Sequence, residues 1–266
     1  MKKISLIGGD NRLRILKENL EKSGYTVDTL GLFENDFADI ASSETVVLPV
    51  PTTKDGKYVF APLTNKKIPL SFVESQISNC QLILCCNFSF KNSRCVDYNA
   101  LDSYALLNAV PTAEGAIKLA IENTPFTLWK SKVLVIGFGR VGKILAQRLS
   151  ALGCKVTVSA RKPMDFAMID ALGYCFVDTT KLDDLTLDYD IIFNTVDFEV
   201  LKEKSLRETS CRCLIDLSSK GGFNLTLANE CGITAVKAPG LPGIIATETA
   251  GKILSETILE IINSFN

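Results

Sequence analysis

Short apolar runs alternate with longer stretches of helical periodicity along nearly the whole chain. In the first part "KISLIGG", "TVDTLGL", "TVVLPV", "QLILCC" and "RCVDY" read as strands, separated by helix-like segments such as Arg12 to Lys22 and Ser71 to Ser78. A second series follows Trp129: "KVLVIGFG", "KVTVSA", "GYCFV", "DIIFNTV", "CLIDLS" and "ITAVKAP", with a helical pattern over Val141 to Leu152. Regular alternation of this kind is the signature of parallel α/β architecture, since consecutive parallel strands need a crossover between them. The pattern predicts two doubly wound parallel-sheet domains.

Two further helices complete the expected layout. "PTAEGAIKLAIENTP" opens on Pro111 and Thr112, carries apolar residues at 113, 116, 117, 120 and 121, and stops at Pro125, so it predicts a helix joining the domains. At the C-terminal end, apolar positions 245, 246, 250, 253, 254, 258 and 261 predict a last helix, free to pack on its own domain or to return to the first. The expected division is an N-terminal α/β domain over 1–110, a linker helix over 111–127, a Rossmann domain over 128–244, and a helix over 245–266. "PVPTTKDGKYVFAPLTNKKIP" holds four prolines and few element signals, and a loop of that length in a compact domain is usually functional or mobile.

Composition narrows the class. Among 266 residues, 47% are hydrophobic and 22% charged, as expected of a well-cored globular chain. The net charge of -1 supplies no general positive field for nucleic acid or an anionic membrane, and no apolar run reaches the length of a membrane span. The apolar run in "MKKISLIGGD" is too short for a signal peptide and fits a first strand. Nine cysteines without a C-x-x-C pair suit reduced thiols, so a cytoplasmic protein is expected. No metal site is expected. The chain has no histidine, which excludes a histidine base or triad from it.

Candidate chemistry centres on "VLVIGFGRVGKILAQRL", where Gly137, Gly139 and Gly142 form G-x-G-x-x-G between an apolar strand and an amphipathic helix. The first glycine permits the tight turn, the second lets a pyrophosphate approach the backbone, and the third allows helix and strand to pack closely. Phe138, Arg140 and Val141 complete the loop. The next strand ends in Ser159, Arg161 and Lys162, where an NAD site would place an acid on the ribose hydroxyls. A hydroxyl and two cations suit a 2′-phosphate, which favours NADP over NAD.

Other candidates lie at strand ends, where open α/β sheets bind ligands. Asn194 and Thr195 end one strand and are placed to line the nicotinamide ribose. Lys220 in "DLSSKGG" is a candidate anion ligand or proton donor, and Glu114 in the linker helix a candidate proton carrier. In the first domain "IGGDNRL" repeats the strand-to-helix design without the third glycine, so Asp10 and Arg12, with Thr52 and Thr53 of "PVPTT", are candidates for a substrate carboxylate.

These segments resemble the family of dipicolinate synthase A subunits. The resemblance rests on "IGGDNR", "NAVPTAEGAIKLAI", "VLVIGFGRVGKILAQRLSALGCKVTVSAR" and "LIDLSSKGGFN" with "APGLPGIIATETAGKIL", spread over most of the chain. It implies an NADP-dependent Rossmann enzyme built like the two-domain hydroxyacid dehydrogenases and forming a homo-oligomer. It also implies a flavoprotein-like B subunit for its partner and the mother cell of a sporulating bacterium for its location. The implied reaction forms dipicolinate from a dihydrodipicolinate-pathway intermediate. The missing histidine bears on this reaction: aromatisation of a dihydropyridine needs no strong dedicated base, whereas removal of a hydroxyl proton normally uses one. Two alternatives stay open, a hydroxy or amino acid dehydrogenase with a lysine base, and a cofactor-binding regulatory subunit whose partner carries the chemistry.

Overall fold

The computed structural model describes residues 2–91 and 94–265. It divides into two compact units, one comprising the chain up to Asn108 together with the segment from Pro242 onward, the other spanning Ala109–Leu241.

In the first unit β1 (Lys3–Ile7), β2 (Thr26–Leu30), β3 (Thr45–Val47), β4 (Leu82–Cys85) and β5 (Cys95–Asp97) form one sheet in the order β2-β1-β3-β4-β5. Every pair in it is parallel. The central strands are buried on both faces, as a sheet covered on both sides requires. Helix α1 (Asn11–Lys22) lays Leu13, Leu16 and Leu20 on one such face, and α2 (Leu70–Gln76) buries Leu70 and Val73 in the cluster on the other. Cys85 and Cys86 belong to this interior, and burial pushes both thiols up to about 12.

The long proline-bearing loop is tied down. Thr53 pairs with Val59 and Tyr58 with Pro69 in antiparallel bridges, and the Gly9 amide donates to the Phe60 carbonyl at 2.7 Å. Lys66, near its end, reaches back to Asp36 at 2.9 Å. Burial alone would raise the Asp36 carboxyl, but Lys66 and the backbone amides of Phe33, Gly31 and Leu32 outweigh it and hold it at about 2.

In the second unit β6 (Lys132–Ile136), β7 (Lys155–Ala160), β8 (Cys175–Asp178), β9 (Ile191–Asn194), β10 (Cys213–Asp216) and β11 (Thr234–Lys237) form a parallel sheet in the order β11-β10-β9-β6-β7-β8. Counted within the unit this is 3-2-1-4-5-6, the doubly wound dinucleotide-binding order. Helices α4 (Arg140–Ala151), α5 (Pro163–Ala171), α6 (Glu203–Glu208) and α7 (Leu225–Glu230) make the crossovers with short turns.

The helix between the two strand series differs from its expected form. Helix α3 runs Asp102–Glu122, so it begins nine residues before Pro111 and holds that proline in its interior. Pro111 lacks an amide to donate, a loss that ordinarily breaks a helix. Burial of Tyr104, Ala109, Ala113, Ala116 and Ala120 along α3 opposes that cost. The helix ends at Glu122, and Thr124 Oγ1 donates to the Ala120 carbonyl at 2.8 Å just before Pro125.

After a short helix α8 (Leu241–Ile245), helix α9 (Thr247–Ser264) belongs to the first unit and packs on α1. It places Leu254, Ile258, Ile261 and Ile262 in the same core as Leu13, Leu16 and Leu20. Asn19 Nδ2 donates to Ser255 Oγ at 3.0 Å across the contact. Gly251 is the point of closest approach, since a Cβ there would sit 2.8 Å from Ile15 Cβ. Gly251→Val should therefore overpack the α1–α9 seam and lower the unfolding free energy by about 1–3 kcal/mol. Urea titration of the two proteins measures the difference.

Candidate functional site

The glycine loop is shaped by contacts that leave no room for side chains. Gly137 follows β6 at φ +100°, and a Cβ on it would meet Thr195 Oγ1 at 2.6 Å. In α4, a Cβ on Gly142 would fall 2.1 Å from the Gly137 carbonyl oxygen, so only glycine lets helix and turn pack here. Gly139 is the opposite case: nothing lies within 4 Å of where its Cβ would be. It is the N-cap of α4 and, as a glycine, brings no side chain to cap that helix end. An uncapped helix N-terminus with open space above it suits an anionic pyrophosphate, through both its amide donors and its dipole.

The open space belongs to a cleft of about 350 Å³ lined by Gly137, Phe138, Gly139, Arg161, Lys162, Thr195 and Phe198, among others. Arg161 and Lys162 are exposed residues just past β7, and among the described residues neither has an ion-pair partner. The Arg161 guanidinium lies over the Phe198 ring, 5.3 Å from its centroid. Phe198 thus holds a cation at the cleft rim by a cation–π contact. An anionic dinucleotide suits this donor set.

Ser159 does not join it. Its side chain is fully buried, with Thr179 Oγ1 at 2.8 Å and the Gly137 amide donating to Ser159 Oγ at 3.3 Å. The hydroxyl that the sequence assigned to the ligand instead supports the glycine turn. Thr195 also serves that turn, donating from Oγ1 to the Ile136 carbonyl at 2.8 Å. Arg140 and Val141 form the first turn of α4, with Arg140 exposed.

A polar knot joins the next three strand ends. Asn194, Asp216 and Lys237 occupy one register row across β9, β10 and β11, so their side chains meet on one face. Asp216, fully buried, accepts from Lys237 Nζ at 2.8 Å and from Asn194 Nδ2 at 2.8 Å. It also accepts from Ser218 Oγ at 2.6 Å and from the Gly222 amide at 3.1 Å. Burial pushes this carboxyl up, but Lys237, Ser218 and Asn194 together hold it below its ordinary range. Asn194 is consequently a buried member of the knot and offers no side-chain donor to a ligand.

The knot fixes the loop over 217–222. Gly222 packs so closely on Asn194 that a Cβ would lie 2.0 Å from Nδ2. On the outer side Asp197 accepts from the amides of Ser219 and Lys220 at 2.6 and 3.3 Å. Lys220 is left at the exposed tip, its backbone fixed and its ammonium in solvent. Asp216, Lys237 and Phe198 were not singled out from sequence; the signal available for the first two was a charged residue closing an apolar strand.

The remaining candidates are more committed than expected. Asp10 caps α1, accepting the Arg12 amide at 3.0 Å, and its carboxylate also takes Arg12 Nε at 2.9 Å and Nη2 at 2.7 Å. Arg12 Nη2 donates to the Val50 carbonyl as well, and the side chain is buried. It is an interior cation whose Nε and Nη2 donors are committed to Asp10 and Val50. Thr52 is buried, with Oγ1 accepting from the Cys86 amide at 2.9 Å. Thr53 Oγ1 accepts from the Gly56 amide at 3.0 Å and stiffens a turn. Glu114 is exposed and paired with Arg148 of α4 at 3.3 Å.

The Asp216–Lys237 pair generates a test. A carboxyl whose folded pKa is depressed adds stability above its unfolded pKa and loses it as pH falls through the folded value. Lys237→Met leaves the buried charge without its cation and should cost about 3 kcal/mol at neutral pH. The difference from the parent should shrink as pH falls through and below the ordinary carboxylate range, where Asp216 takes up a proton first in the variant and then in the parent. Urea unfolding at neutral and acid pH measures both quantities.

Comparison with known proteins agrees with this layout. The family model for the N-terminal domain of the dipicolinate synthase A subunit matches residues 3–107, and that for the NAD binding domain of D-isomer specific 2-hydroxyacid dehydrogenases matches 113–209. The dipicolinate synthase A subunit of Bacillus subtilis is 33% identical over 289 aligned positions, covering 98% of this chain and 95% of that protein. The crystal structure of the dipicolinate synthase A subunit from Bacillus halodurans superposes with a TM-score of 0.87 at 31% identity, covering 98% of this chain and 97% of that one. The apo-structure of D-lactate dehydrogenase from Escherichia coli shares the fold at 15% identity, with a TM-score of 0.65 and coverage of 98% and 96%. Among the described residues no helix is long and apolar enough to cross a membrane. The chain carries an NAD(P)-binding domain on an oxidoreductase-like fold, and it belongs to the family of dipicolinate synthase A subunits.

Proposed function

We propose that the chain forms dipicolinate by oxidising a dihydrodipicolinate-pathway intermediate with NADP, together with a B subunit of flavoprotein-like character. The family supports the product, and the B subunit follows from membership of a synthase with a named A subunit. The observation that carries the choice of cofactor is the end of β7. Where an NAD site needs a carboxylate, this chain places Arg161 and Lys162, without ion-pair partners among the described residues and beside an uncapped α4.

When bound, NADP supplies a hydride acceptor. The chain's own residues bind and orient. The α4 N-terminus and Gly139 receive the pyrophosphate, while Arg161, steadied by Phe198, and Lys162 receive the 2′-phosphate. Lys220 presents an ammonium to a substrate carboxylate from a loop whose position the Asp216 knot sets. Conversion of the dihydropyridine to the pyridine releases one hydride to the cofactor and one proton. That proton leaves a carbon already activated by the developing aromatic ring, so water can take it and no buried base is required. The exposed, ion-paired Glu114 is given no part in the step.

Two measurements test the reading. Arg161→Ala should weaken NADPH binding about tenfold or more, equivalent to about 1.4 kcal/mol, and change NADH binding little. Fluorescence titration of both nucleotides reads the contrast, and equal losses would reduce Arg161 to a solvated charge. Mixing the protein with NADP and the cyclic precursor should produce NADPH and dipicolinate absorbance together. Turnover that appears only on adding the B subunit would move the redox step to the complex. Turnover of simple hydroxy acids would replace the reading with a hydroxyacid dehydrogenase.

A further inference from the structure

The second unit carries another cavity, at the end of its strands away from the glycine turn. It holds about 260 Å³, and Lys132, Lys155, Tyr174, Cys175 and Tyr189 line it, among others. Lys132 and Lys155 are the first residues of β6 and β7 and are register partners, so their side chains leave the sheet together on one face. Strands in a sheet lie about 4.8 Å apart, and like charges set opposite each other at that spacing repel. An anion between them turns the repulsion into a binding site.

The protein's own acids answer only one of the two charges. Asp188 pairs with Lys132 and also accepts from Ser210 Oγ at 2.9 Å, while Asp190 accepts the Lys132 backbone amide at 2.7 Å. Lys155 has no ion-pair partner among the described residues. The Lys132–Asp188 pair is exposed on both sides, at 51% and 66%, so a ligand carboxylate replaces Asp188 at little cost. Two aromatic rings flank the lysines. Tyr174 immediately precedes β8 and Tyr189 lies two residues before β9, and these strands are the outer neighbours of β7 and β6. Both rings are half-buried, and neither phenol hydroxyl has a hydrogen-bond partner among the described residues. Ser150 and Thr157 add two more hydroxyls to the lining.

We propose that this cavity is a second site for the reaction product, binding a planar aromatic ring that bears carboxylates in a 1,3 relationship. The identity of the ligand as product rests on the reaction proposed above; the site itself rests on the cavity. A ring enters between Tyr174 and Tyr189, and its two carboxylates diverge at roughly the spacing of adjacent strands, so each meets one ammonium group. A phosphate fits less well, because its charge is concentrated on one centre while the two lysines are held apart by the sheet. A dinucleotide is too large, since the cavity is smaller than the about 300–1,000 Å³ that drug-sized ligands occupy. The glycine turn and Arg161 stand at the opposite ends of β6 and β7, so product binds here while the nucleotide cleft is filled.

Cys175 supplies a local reporter. It lines the cavity and is the one exposed cysteine among the described residues. The full chain, saturated with NADP, is treated with iodoacetamide at rising concentrations of dipicolinate, and modification of each cysteine is followed by mass spectrometry. At ten times its dissociation constant dipicolinate should slow modification of Cys175 about tenfold, and that of half-buried Cys231 not at all. Pyridine-2-carboxylate, with one carboxylate, should need about tenfold more ligand for the same protection. Lys155→Ala, at an exposed strand start, should leave thermal stability nearly unchanged and raise the dipicolinate concentration needed at least about tenfold. Modification of Cys175 at the same rate with and without dipicolinate overturns the proposal. Equal protection by the monocarboxylate overturns it too, as does an unchanged dipicolinate requirement in Lys155→Ala. Protection of Cys175 in a protein that forms no dipicolinate from the cyclic precursor would remove the proposed reaction and leave the dicarboxylate site standing; turnover with Cys175 unprotected would do the reverse.

Discussion

A buried carboxylate, Asp216, is the constraint on which the candidate site depends. It sits with zero exposure at the end of β10 and is charged because five donors surround it. Removing a carboxylate from water costs several kcal/mol, a cost met only when its lone pairs are satisfied with good geometry. The donors that satisfy it come from β9, β11 and the loop after β10, so satisfying the charge fixes all three relative to one another. Lys220 inherits a fixed backbone from this arrangement. The glycine turn is fixed by different means, since Gly142 on Gly137 and Ser159 beneath them settle its shape by contact.

The distinction explains what could be read in the sequence. The two sheets were legible because each apolar run marks a strand buried on both faces, and the helical stretches between them can only be crossovers. The three glycines were legible because their requirement is local: each is dictated by a backbone approach within a few residues or by the adjoining strand. Asp216 and Lys237 lie 21 positions apart in the chain and meet only through the parallel register. A register row is a property of the sheet, so neither residue announces its partner. Ser159 and Asn194 went the other way. A polar residue at a strand end can face a ligand or satisfy a turn, and only the side-chain partners decide between these roles.

The same reasoning accounts for α3 and Arg12. Pro111 at the head of an apolar stripe reads as a first-turn proline, because the first turn is where a missing amide costs nothing. In the fold that proline lies within a longer helix whose buried alanines and Tyr104 outweigh the lost bond. Arg12 reads as a substrate ligand, yet Asp10 two residues earlier is both its cap and its counter-ion. An i, i+2 pair at a helix start is compact enough to give a guanidinium its counter-ion without any ligand.

Against these committed charges, Arg161 stands out by what it lacks. Elsewhere in the molecule burial is matched by pairing: Arg12 with Asp10, Lys66 with Asp36, Lys237 with Asp216. Arg161 pairs with no carboxylate among the described residues and rests on an aromatic face worth about 0.5–1 kcal/mol when exposed. That contact restricts where the guanidinium sits without neutralising it. A cation held in place but still charged has already lost part of its rotamer freedom, so a phosphate that meets it gains the ion pair at a reduced entropic cost. A counter-ion of the protein's own would have cancelled that gain, which is why a carboxylate at this strand end would serve a different nucleotide.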